Sequence, residues 1–157
     1  MTYLFLDTEW ANDAARALVS LALISEDGQH RFYAERNPLP AAPSSFVRQT
    51  VYPLLERGAV ALPDPEFTRR LREFVESVPG LPVVLADGML DFSMLRLALS
   101  GFGVSDGAAS PEWKPELVTD RIILDRIESY FSLNTDARAR RHHAMVDAEA
   151  LRRAHTK

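Results

Sequence analysis

Residues 81–86, Leu-Pro-Val-Val-Leu-Ala, form a short apolar run without polar alternation, set between Pro79-Gly80 and Asp87-Gly88. A strand of this kind has no wet face, so it must be covered on both sides, as the central strands of parallel sheets are. Before it, Phe67, Leu71, Phe74, Val75 and Val78 recur at helical spacing, with Arg69, Arg70, Arg72, Glu73 and Glu76 on the wet side. After it, Met89 to Leu99 is apolar almost all round except for Asp91, Ser93 and Arg96, which predicts a packed helix. Helices on either side of a doubly covered strand predict an α/β architecture.

The N-terminal third reads differently. Tyr3 to Leu6 suits a strand, Ala17 to Ile24 a second, and Glu26-Asp27-Gly28 a hairpin turn returning as a third strand over Gln29 to Glu35. Prolines between Pro38 and Pro43 break the sheet, and Ser44 or Ser45 can cap a helix reaching toward Tyr52 before Pro53. Gly101 to Pro115 has the composition of a surface loop carrying Trp113, and Leu117 to Tyr130 resumes with a short strand and a helix. Arg138, Arg140 and Arg141 precede a last helix from about Ala144 to Ala154. At 157 residues, 46% of them hydrophobic, the chain suits one domain with a real core.

With no cysteine, a disulfide or a thiolate zinc site is excluded, so any metal must be held by oxygen and imidazole, which favours hard cations. A formal charge of -4 argues against a broad basic nucleic-acid surface, while local patches can still guide a polyanion. The opening Tyr-Leu-Phe-Leu is too short an apolar run for a signal peptide, and no stretch approaches a membrane span. The expectation is a soluble, cytoplasmic protein with no membrane contact.

Four acids stand where a core should be. On an extended strand Tyr3, Phe5, Asp7 and Glu9 share one face, so two carboxylates project side by side from the end of a hydrophobic strand. Asp147 falls on the stripe of Ala144, Ala148 and Leu151, and Asp91 lies in line with Met94, Leu95 and Ala98. Three of them have a bland reading: Asp7 and Glu9 as loop residues past the strand, Asp91 as an acid favoured by a helix N-terminus. Together they occupy places an α/β fold can bring into one crevice, where a cation would offset their repulsion. Oxygen ligands of this kind suit Mg²⁺ or Mn²⁺, which bind through a few carboxylates and substrate phosphate oxygens.

Three segments resemble the DEDDh 3′→5′ exonucleases: Phe5-Leu6-Asp7-Thr8-Glu9, Asp87-Gly88-Met89-Leu90-Asp91, and His142-His143-Ala144-Met145-Val146-Asp147-Ala148. The family pattern places a histidine five residues before the last aspartate, which selects His142 over His143. Asp87 departs from it, since many relatives carry asparagine there. The resemblance implies a ribonuclease H-like fold: a mixed central sheet, antiparallel in its first three strands and then parallel, flanked by helices, with 1–157 as a single exonuclease domain. It further implies two divalent cations, Mg²⁺ or Mn²⁺, held by Asp7, Glu9, Asp91 and Asp147, with His142 as general base. The substrate would be the 3′ end of single-stranded RNA or DNA, cut to nucleoside 5′-monophosphates, and the short length looks most like the small bacterial exoribonucleases. A homodimer is compatible with it.

Thr8, Trp10 and Asp87 are candidate substrate contacts. Trp113 or Trp10 could stack on a terminal base, although core packing suits Trp10 at least as well. His30, His143 and His155 are expected to be surface or structural residues, and the arginines 138, 140 and 141 are given no catalytic role. The alternatives are a ribonuclease H-like endonuclease, which need not show the histidine-to-aspartate spacing, and a catalytically silent nucleic-acid-binding module.

Overall fold

The protein is described from a computed structural model, which covers residues 1–14 and 17–156. Its centre is a six-stranded sheet built from β1 (Thr2–Trp10), β2 (Leu18–Ser25), β3 (Arg31–Arg36), β4 (Ala61–Leu62), β5 (Pro82–Ala86) and β6 (Lys114–Leu117), in the order β4-β3-β2-β1-β5-β6. The first three strands form an antiparallel meander, and β5 and β6 then add in parallel beside β1. This is the α/β mixed sheet expected from the sequence, in a ribonuclease H-like arrangement. The five residues of β5 are all buried, as the unalternating apolar run requires.

Helices cover both faces. Leu4 and Leu6 of β1, Leu21 and Leu23 of β2 and Val84 of β5 pack with α1 (Asp64–Ser77) and α2 (Met89–Leu99). Phe5, Ala22, Ile24, Val83 and Leu85 point the other way, toward α3 (Arg121–Leu133) and α5 (Ala144–His155). Fully buried Phe5, Phe67 and Phe92 anchor these layers, each worth about 1.5–3 kcal/mol in transferred apolar surface. Thr68 ties α1 to α2 by donating its hydroxyl to the carbonyl of Ala98 at 2.8 Å. A short helix, α4 (Thr135–Ala139), leads into the arginine-rich turn before α5.

Three expectations need correction. Strand β6 starts at Lys114, inside the expected loop; it is an edge strand exposed throughout and carries Pro115, so it shows neither alternation nor an apolar run. The segment after the proline stretch is capped by Ser44, whose Oγ accepts from the Val47 N–H at 3.2 Å, but it winds irregularly. It is π-helical over Val47–Val51 and then forms a 3₁₀ turn over Tyr52–Leu54 that includes Pro53. The two-residue β4 and the short α4 were not foreseen.

Two irregularities of β1 shape the end of the sheet. It pairs with β5 only from Thr2 to Phe5, whereas its pairing with β2 runs on to Trp10. A bulge at Glu9/Trp10 leaves Val19 as the extra residue on β2. Val19 is buried with Ala11, Val47 and Val51, which seats the irregular helix beside the carboxyl end of β1. No helix of the described residues is long and apolar enough to cross a membrane.

Candidate functional site

Where β5 stops and β1 continues, a crevice opens at the carboxyl ends of two parallel strands, the place where open α/β sheets bind ligands. The cleft there has a volume of about 620 Å³, and its walls include Asp7, Thr8, Glu9 and Trp10 of β1, Asp87, Gly88 and Asp91, and His142 and Asp147. All eight sequence-predicted site residues therefore line one cavity. Phe46 and Val47 of the irregular helix close its far side.

The acids arrive from three elements on both faces of the sheet. Alternation along β1 sends Asp7 and Glu9 to the α5 side, as it sends Phe5, and Asp147 meets them from the first turn of α5. Asp91 comes from the first turn of α2 and is held by Thr8, which faces the other way. Thr8 is buried, and both its backbone N–H and its hydroxyl donate to Asp91 Oδ1, at 3.0 and 2.6 Å.

These carboxylates are not compensated by cations in proportion to their number. Burial, then the charges of Asp147, Glu9 and Asp91, hold the Asp7 carboxyl well above the usual carboxylate range. Glu9 is pushed up to about 9 by burial and by Asp147 and Asp91. Asp147 rises to about 7, chiefly through burial, although the His142 N–H donates to both of its oxygens at 3.2 Å. Asp91 rises to about 6 through burial, against the opposing hydrogen bonds from Thr8. Asp7 Oδ2 is sealed from solvent without any hydrogen-bond partner, a condition that is costly for a carboxylate oxygen.

A divalent cation fits this donor set. Hard oxygen ligands predominate, and one of them is buried with its lone pairs unused. Glu9, His142 and Asp147 also each present a ligand atom, all within 4.8 Å of one another, so the imidazole stands close enough to join a metal-binding group. His142 has a left-handed backbone, φ 77°. Its ring is half-buried and meets the edge of Phe46 at 5.1 Å between centroids. Burial and the nearby Arg141 charge lower its pKa, which favours the neutral ring.

The remaining candidates separate. Trp10 lines the cleft and also packs on the core, with its indole N–H directed to Asp13 Oδ1 at 3.3 Å. Asp87 is exposed and lines the cleft. Trp113 is not there: it packs on Phe92, with the Arg96 guanidinium 5.0 Å from its ring centre, and lines a separate shallow depression. Arg141, given no role from sequence, approaches the acids from a small adjoining cavity that it shares with Asp7, Asp87 and Asp147. It is anchored by a paired contact to Glu128 and lies over Phe131. Phe46 was missed; its one signal was an aromatic directly after Ser44 and Ser45.

His143 is structural, as expected, and His30 is exposed. His155 is half-buried against Tyr3 and Phe5. No family model matches this chain, and no curated protein matches it either.

Proposed function

We propose that the chain is a 3′→5′ exonuclease of the DEDDh type that shortens single-stranded nucleic acid, RNA foremost, and releases nucleoside 5′-monophosphates in the cytoplasm. The observation that carries this reading is the convergence of Asp7, Glu9, Asp91 and Asp147 on one cleft around a buried, unpartnered carboxylate oxygen. Such an arrangement is costly unless something positive offsets it, and a cation that also binds phosphate oxygens would do so. Asp7, Glu9, Asp91 and Asp147 would hold two divalent cations, Mg²⁺ or Mn²⁺. When bound, these would supply an activated water and charge neutralisation at the phosphodiester.

The chain's own residues divide the rest of the work. Burial and Arg141 lower the His142 pKa, which favours a neutral ring able to accept a proton. Thr8 fixes one oxygen of Asp91 and leaves the other for the cleft. Trp10 and Phe46 offer aromatic surface on the cleft walls, suited to an unpaired base.

The test is incubation with Mg²⁺ or Mn²⁺ and 5′-labelled single-stranded RNA, the same sequence as DNA, and circular forms, with Asp7→Ala as control. A stepwise ladder from the 3′ end, lost in Asp7→Ala, is expected. Cleavage of circles would replace the reading with an endonuclease. Binding without cleavage in either metal would reduce the protein to a nucleic-acid-binding module.

A further inference from the structure

A second set of residues is hydrogen-bonded through His143 to the backbone that carries His142 and Asp147. Glu35 of β3 is completely buried, with its carboxyl group inside the core. Its carboxylate accepts the backbone N–H groups of Glu56 and Arg57 at 2.6 and 2.8 Å, the Tyr33 hydroxyl, and Arg57 Nη1 at 3.3 Å. A backbone turn is thus clamped to the sheet, with Arg57 at φ 51°. The clamped turn aims the Glu56 side chain at the ring of His143, where Oε2 lies 2.8 Å from Nε2.

His143 is 3% exposed, stacks on Tyr33 with ring centres 4.5 Å apart, and caps α5. Its Nδ1 accepts the Met145 N–H at 3.2 Å, so the ring proton must sit on Nε2 and be donated to Glu56. Its carbonyl accepts the Asp147 N–H at 3.0 Å, closing the first turn of α5. Its own N–H is held by the Arg140 carbonyl at 3.0 Å. His142 precedes it, and the His142 N–H is the group that grips the Asp147 carboxylate.

We infer that Glu56 is a positioning residue for the cleft: by holding His143 in the Nε2–H tautomer it keeps Nδ1 available as the cap of α5, and so fixes His142 and Asp147. In the other tautomer Nδ1 would carry a proton, oppose the Met145 N–H and loosen the first turn that presents Asp147. The inference rests on the nuclease reading only for its effect on turnover; the tautomer and metal-affinity effects are independent of it.

The side chain of Glu56 is half exposed, so its replacement spares the core, unlike loss of His143. Glu56→Ala is expected to lower kcat and Mn²⁺ affinity by about tenfold, with KM for a short RNA unchanged. Glu56→Gln should restore most of both, because the amide oxygen still accepts from Nε2–H. Nitrogen-15 NMR of the imidazoles should show His143 as the Nε2–H tautomer in the native protein and in Glu56→Gln, and a mixture in Glu56→Ala. The inference is overturned by an Nδ1–H tautomer in the native protein, or by a Glu56→Ala protein whose tautomer and Mn²⁺ affinity are both unchanged. An inactive native protein that still shows the tautomer and affinity changes would count against the nuclease reading alone.

Discussion

Thr8 directs both of its donors to a single oxygen of Asp91, the backbone N–H at 3.0 Å and the hydroxyl at 2.6 Å, across 83 residues of sequence. The bonds oppose the burial that lifts the Asp91 carboxyl to about 6. Thr8→Val keeps the shape and removes the hydroxyl donor. It should raise the Asp91 pKa further, lower stability by about 1–2 kcal/mol in denaturant titration, and weaken Mn²⁺ binding at neutral pH. Thr8→Ser should behave as native, and a Thr8→Val protein with native Mn²⁺ affinity would show that the hydroxyl is dispensable.

Gly88 matters for space. Its φ is -132°, open to any residue, but a Cβ there would lie 2.9 Å from Asp91 Oδ2. The neighbour is the end of a side chain, so Gly88→Ala should fold with a near-native melting temperature. The Asp91 carboxylate must then turn aside. Turnover is expected to fall by about tenfold without unfolding, approaching the loss in Asp91→Asn. Full activity in Gly88→Ala would mean that Asp91 does not need this orientation.

The acids make stability depend on pH in a definite direction. Unfolded carboxyls titrate at roughly 4, whereas burial and neighbouring acids push Asp91, Asp147 and Glu9 up to about 6, 7 and 9 in the fold. The native state then binds protons more tightly than the unfolded state, so their contribution is fully present below about pH 4 and is lost as pH rises toward about 9. Metal-free protein should lose stability on going from about pH 6 to about pH 9, and saturating Mn²⁺ should flatten that slope. Mn²⁺ binding should also release protons, measurable by calorimetry in buffers of different ionisation heat. Stability that rises over this window, or binding without proton release, would contradict the charge arrangement.

His142 is expected to act on a proton. His142→Ala should cut turnover by about 10² or more while leaving Mn²⁺ affinity within a factor of a few, and at saturating Mn²⁺ the acid limb of the pH–rate profile should vanish. Because burial and Arg141 lower the His142 pKa, that limb in the native protein belongs below the ordinary histidine value. A parallel collapse in Mn²⁺ affinity would instead make the imidazole a ligand alongside Glu9 and Asp147.

What the sequence could reveal followed from periodicity. The apolar run of β5 has no polar interruptions because both of its faces are covered, and the alternation of Tyr3, Phe5, Asp7 and Glu9 survives as a shared strand face. Asp147 was legible for the same reason, through its offsets to Ala144, Ala148 and Leu151 on one helix. Features without a period stayed hidden. Strand β6 is exposed along its length, so nothing in its residue pattern distinguishes it from the preceding loop. Glu56 and His143 stand 87 positions apart and meet only through tertiary folding. Trp113 misled as a candidate base platform, since an aromatic in a polar loop gives no sign of which neighbour it folds back upon.

The uneven reach of β1, paired with β5 only as far as Phe5, leaves a strand end to which both helical layers contribute acids. The spacing between Asp91 and Asp147 is therefore an inter-layer dimension, set by how closely α2 and α5 settle onto the strands. Small residues govern that height on one side: Ala144, Ala148, Ala150 and Ala154 are all essentially inaccessible to solvent. Enlarging one of them, even at the far end of α5, would act as a shim under the helix and retune the cleft without altering any residue that lines it.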